Sequence, residues 1–167
     1  MSSFVPRGSS SARRAERGVT LAELLVVLAI LSILAAIAVP FAETAVLRGK
    51  EHALRAMLRD VRTAIDRFHD DWRAGDFEDG TGGISDNGYP AELVLLVEGL
   101  ADKDGAPKRY LRKLPENPFA PRDSDEPWLY LGYSDPPDTR VWNGEDIYDL
   151  RAVTDRTGLD GTAIADW

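Results

Sequence analysis

The sequence predicts an α+β fold in which one long N-terminal helix packs on a small C-terminal antiparallel sheet. Three observations lead there. An apolar run from Val19 to Phe41 passes without a break into an amphipathic stripe that ends near Trp72. Short β-rich segments separated by turn signals lie between Pro127 and Val153. About 125 residues follow Phe41, enough for one small domain and not for two.

The apolar run comes first. From Leu24 to Val39 the only polar side chain is Ser32, and the stretch 19–41 is long enough to cross a hydrocarbon core of ~30 Å as a helix. A leader, residues 1–18, precedes it and carries Arg7, Arg13, Arg14 and Arg17 against Glu16. The positive-inside rule therefore keeps the N-terminus in the cytoplasm and sends the C-terminal part across the membrane. Glu23 does not suit a plain anchor. A carboxylate at the centre of a membrane helix costs about 3 kcal/mol, less near an end, so it calls for a cationic partner or a functional reason.

The run Arg17-Gly18-Val19-Thr20-Leu21-Ala22-Glu23-Leu24-Leu25 resembles the processing and methylation site of type IV pilins and type II secretion pseudopilins. The resemblance implies that a prepilin peptidase cuts after Gly18 and methylates the new N-terminus at Val19, with Glu23 as the fifth mature residue. Val19 stands where phenylalanine is usual, and Ala22 where a larger aliphatic is common. Two other readings of residues 1–45 stand beside this one. They are an ordinary secretory signal cut near Ala36-Ile37-Ala38, and a plain single-span anchor.

Cleavage after Gly18 would create an α-amine at Val19 with a pKa of about 8, roughly one helical turn from Glu23. Each subunit would then carry a cation and an anion at one end of its membrane helix. In a staggered bundle, the amine of one copy can pair with Glu23 of its neighbour, a bond strengthened by low dielectric. That pairing would set the register of a growing fibre. Pro40, which removes a backbone donor and crowds the carbonyl of Ala36, marks either the membrane exit or the kink that the resembled family uses in its filaments.

After the anchor, Leu47, Leu54, Met57, Leu58, Val61, Ile65, Phe68 and Trp72 recur at helical steps over residues 43–73, with charged residues on the other face. Anchor and stripe together predict one helix from about Thr20 to about Arg73. His52 and His69, the only histidines, lack the i,i+4 spacing of a zinc pair and read as surface or boundary residues. Residues 74–89 are dense in Gly and Asp and read as a loop whose carboxylates do not follow the EF-hand pattern.

Asn87-Gly88-Tyr89-Pro90 then leads into a short amphipathic helix over 91–100. That order is similar to major pseudopilins, as is the Leu-Pro-x-x-Pro-aromatic run at Leu114 to Phe119. The sheet and tail occupy 127–167. Strands are expected at Pro127 to Tyr133, at Thr139 to Trp142 and at Asp146 to Val153, with Asn143-Gly144 as a hairpin turn between the last two. One face of the sheet should cover the Met57 to Trp72 stripe.

Composition limits the function. The chain has no cysteine, which excludes disulfides and thiolate metal sites. Net charge is −8, and leaving out the four arginines and two glutamates of the first 41 residues makes the remainder −10. An acidic head of this kind argues against nucleic-acid binding. No nucleophile elbow, phosphate loop or other catalytic constellation is present, so the chain is not expected to be an enzyme.

The resemblance implies a subunit of a type II secretion pseudopilus, most like the major pseudopilin. Such a subunit is held in the bacterial inner membrane with a periplasmic head and polymerises with copies of itself into a periplasmic filament. Its expected partners are the prepilin peptidase, the inner-membrane assembly platform and minor pseudopilins. It also implies one calcium ion, bound between the last strands, for which Asp155 and Asp160 are the candidate ligands; a turn-rich tail that merely packs Trp167 is the other reading. Two alternative functions remain: a type IV pilin for adhesion or motility, and a membrane-tethered periplasmic binding or enzymatic domain.

Overall fold

The computed structural model describes residues 19–78, 80–120, 124 and 126–167. The chain divides into two compact units, Met1–Ala42 and Glu43–Trp167. Helix α1, Leu21–Ala74, is a single element, and it runs through Pro40 without interruption.

In the first unit every described residue, 19–42, is exposed. Leu24, Leu25, Leu28, Leu31 and Ile37 are each more than half accessible, so this apolar surface has no cover among the described residues. The segment is long and apolar enough to span a bilayer by length and composition.

The second unit holds the hydrophobic core. Leu54, Leu58, Val61, Ala64, Ile65 and Phe68 of α1 are buried at steps of three and four, as the stripe requires. They meet Phe77, Leu93, Leu96, Trp128, Ile147, Leu150, Ala152 and Ile164 in one cluster. Each fully buried leucine or phenylalanine contributes about 1.5–3 kcal/mol. Phe68 lies at the centre, 5.3 Å from Phe77 and 5.5 Å from Tyr110 between ring centroids.

Strands β1 (Leu100–Ala101) and β2 (Pro107–Lys108) form one antiparallel pair, and β3 (Trp128–Leu131) and β4 (Asp149–Ala152) form another. In the second pair Trp128 lies opposite Ala152 and Tyr130 opposite Leu150. Because side chains alternate along a strand, these four share the core-facing side.

Three expectations need correction. The strand expected at Thr139 to Trp142 does not form. Pro136 and Pro137 lack ladder donors, and local side chains take up the backbone instead: Thr139 Oγ1 accepts from Val141 N at 3.1 Å, and Asp135 Oδ2 accepts from Gly132 N at 2.8 Å. Asn143-Gly144 consequently joins no strands, although Asn143 Oδ1 does cap a turn by accepting Glu145 N at 2.9 Å. The helix expected over 91–100 contracts to one turn, α2, Leu95–Glu98. It stops at Gly99, whose φ is 84° and where a Cβ would come within 2.8 Å of the Lys108 carbonyl oxygen, so Leu100 can enter β1.

Candidate functional site

Two places in the chain carry the functional expectations. The first is the start of α1. Gly18 and the rest of the leader, residues 1–18, lie outside the described residues. Val19 is 70 % exposed and precedes the helix. Thr20 is its N-cap: Thr20 Oγ1 accepts the amide of Glu23 at 3.2 Å, and the Thr20 carbonyl accepts Leu24 N at 3.1 Å.

Glu23 therefore occupies the third helical position, in the first turn, where the helix dipole favours a negative charge. Thr-x-x-Glu at a helix start is the pattern of a capping box. The sequence contains that signal in plain form, and reading Glu23 only as an oddity inside an apolar run passes over it. The geometry gives the carboxylate a reason to sit at the mouth of the helix, and leaves its charge open to a cation from outside the chain.

The second place is the C-terminal loop. The two expected calcium ligands have different surroundings. Asp155 is exposed, with no hydrogen bond or ion pair among the described residues. Asp160 is fully engaged: Oδ1 accepts Thr162 N at 3.0 Å and Thr162 Oγ1 at 2.7 Å, while Oδ2 accepts Arg55 Nη2 at 2.5 Å. These bonds from Thr162 and Arg55 hold its carboxyl at about 2, well below the usual carboxylate range. Among the described residues no three His, Asp or Glu side chains gather where an ion could be held. A calcium site wants six to eight oxygens, and both carboxylate oxygens of Asp160 already accept other donors.

Within the second unit, sequence reasoning passed over several polar groups. Asp146 is fully buried and accepts from Ser85 Oγ at 2.8 Å, Asn87 Nδ2 at 3.2 Å and Tyr133 N at 2.8 Å. It ties the Asn87-Gly88-Tyr89-Pro90 turn to the β3–β4 connection. Lys108 bridges Asp71 at 2.8 Å and Asp76 at 2.7 Å, and Tyr110 Oη donates to Asp71 at 2.6 Å. His52 is exposed, and His69 is half-buried, stacked 4.3 Å from Tyr89, so both sit at the surface or boundary as expected.

No curated protein and no solved structure matches the chain significantly. A family model does match its N-terminal part: residues 13–39 fit the prokaryotic N-terminal methylation motif, the signal of type IV pilin-like precursors, which implies processing by a prepilin peptidase and pilus-like assembly.

Proposed function

We propose that this chain is a structural subunit of a type II secretion pseudopilus, and that it acts by polymerising through the first half of α1. The observation that carries the reading is the arrangement at the helix start. Val19 is exposed, Thr20 caps the helix, and Glu23 stands in the first turn at the head of an apolar surface with no cover among the described residues. A methylated amine at Val19 retains its positive charge, and Glu23 of a neighbouring copy is its natural partner. Pairing them neutralises two charges that would each be costly in a bilayer. The surrounding apolar faces then pack helix on helix.

The same reading places the second unit in the periplasm and gives it a spacing and recognition role. It needs no catalytic group on this chain, because an assembly platform and its ATPase supply the work. The absence of cysteine favours a pseudopilus over a surface pilin, many of which close their C-terminal region with a disulfide.

The test uses Glu23→Gln and Glu23→Ala in cells that carry a type II system lacking its own major subunit. The native chain should restore both filaments and export, and both variants should be processed, remain in the membrane and restore neither. Normal filaments from Glu23→Ala would overturn the register role. Surface filaments without restored export would move the chain to the adhesion or motility class.

A further inference from the structure

The C-terminal loop is closed by side chains of α1, and the cation at its centre is a guanidinium. Arg55 Nη2 meets Asp160 Oδ2 at 2.5 Å, and the same guanidinium lies 3.9 Å from the ring centroid of Trp167. Trp167 Nε1 donates to Thr162 Oγ1 at 2.7 Å, and Thr162 returns its amide and hydroxyl to Asp160 Oδ1. The four side chains thus form a closed ring: Arg55, Asp160, Thr162, Trp167.

The backbone of the loop is equally occupied. Gly158 N donates to Thr162 O at 2.8 Å, Gly161 N to Gly158 O at 3.0 Å, and Leu159 N to Glu51 Oε1 at 2.7 Å. Gly158 lies under the indole of Trp167, and a Cβ there would stand 2.6 Å from Trp167 Cζ2 and 2.9 Å from Asp160 Oδ1. Two turns further along α1, Arg62 Nη2 donates to the Trp167 backbone oxygen at 2.9 Å while its Nε holds Asp149 at 2.7 Å.

A bound calcium would have to take the Asp160 oxygens from Arg55 and Thr162, and the second carboxylate at the loop, Glu51, already accepts the Leu159 amide.

We infer that Arg55 takes the place of a metal ion in this loop: with Trp167 it latches Gly158–Thr162 onto α1, and the order of the C-terminal loop is independent of calcium. The geometry explains why Asp160 is followed by Gly161 and Thr162, a turn that aims both carboxylate oxygens at fixed donors. It also accounts for the indole of Trp167 beside Arg55, since an arginine between a carboxylate and a ring face is attracted to both. The latch lies wholly within the second unit and holds whichever kind of filament the chain builds.

The test follows thermal unfolding of the full chain in detergent micelles by tryptophan fluorescence, together with trypsin cleavage after the exposed Arg156. Each measurement is made with excess chelator and with about 5 mM calcium, above the 10⁻⁴–10⁻³ M range of weak extracellular sites. The native chain should give the same Tm and the same cleavage rate in both buffers. Arg55→Ala and Asp160→Asn should each lower Tm by about 3 °C or more and speed cleavage after Arg156, equally with and without calcium. Arg55→Ala with Asp160→Asn should cost less than the sum of the two single changes, because they share one interaction.

A native Tm that falls on chelation, or rises with calcium by about 3 °C or more, would overturn the inference. So would an Arg55→Ala chain that melts and cleaves like the native one. Arg55→Lys keeps the charge but loses the planar stacking, and it should fall between native and alanine; a fully native Arg55→Lys would show charge alone to suffice and overturn the role given to Trp167.

Discussion

Thr20 and Glu23 are joined across the first turn of α1, the hydroxyl of one accepting the amide of the other at 3.2 Å. One short segment thereby serves two purposes. It starts the helix cleanly at Leu21, and it holds a carboxylate within about a turn of the amine that processing would expose at Val19.

Thr20→Ala should fray this turn at a cost of about 1 kcal/mol, while Thr20→Ser keeps the cap. Amide hydrogen exchange at Leu21 to Leu24 in micelles should be several-fold faster in the alanine variant and unchanged in the serine variant. Equal exchange in all three would mean that Thr20 does not hold the helix start.

Asp146→Ala should be among the most damaging single changes in the second unit. It removes the acceptor of Ser85, Asn87 and the Tyr133 amide at a site with no access to water. Orphaned donors at about 1–3 kcal/mol each predict a Tm lower by about 8 °C or more. Phe68→Ala should cost a similar 3–5 kcal/mol through the cavity it leaves. A change of under about 3 °C for either variant would contradict the packing described.

Acid should weaken the second unit in a defined window. Burial pushes Asp71 upward, but the hydrogen bonds from Lys108 and Tyr110 outweigh it and leave the carboxyl below its ordinary value of 3.8. Asp160 is held at about 2. A carboxyl depressed on folding contributes stability above its unfolded pKa and loses it as pH falls through the folded one. Tm should therefore be flat near neutrality and fall between about pH 4 and pH 2, with Asp160→Asn showing a shallower fall.

At the alkaline end, the hydrogen bonds that Lys108 donates to Asp71 and Asp76 raise it above 10.5, and burial followed by the Asp71 bond pushes Tyr110 up. Stability from both is complete below their unfolded values near 10 and is lost as pH rises through the folded ones. Lys108→Met should remove its share of that alkaline loss, and an identical alkaline profile in Lys108→Met would contradict its role as the bridge between the two aspartates.

What could be read from the chain alone follows the range of the forces involved. Helix α1 was legible because the apolar period of Leu54, Leu58, Val61, Ile65 and Phe68 is a local pattern. Trp128 and Tyr130 were placed on one face by strand alternation for the same reason. Thr139 to Trp142 misled because Thr, Val and Trp favour strands, whereas the prolines before them and the carboxylate of Asp135 decide for turns. The latch was not legible: Arg55 and Asp160 are 105 positions apart, and nothing in either neighbourhood announces the other. The calcium expectation comes from the resemblance, and the sequence shows the anion at Asp160 and not the arginine that the fold brings to it. Asp146 was hidden likewise, its three donors lying up to 61 positions away.

The central claim is that Val19 becomes the first residue of a polymerising subunit, and intact mass tests it most directly. The full chain, co-expressed with a prepilin peptidase and extracted from membranes, should have the mass of residues 19–167 with one added methyl group. An uncut chain, or a product cut near Ala38, would contradict the claim and leave a plain anchor or a secretory signal in its place.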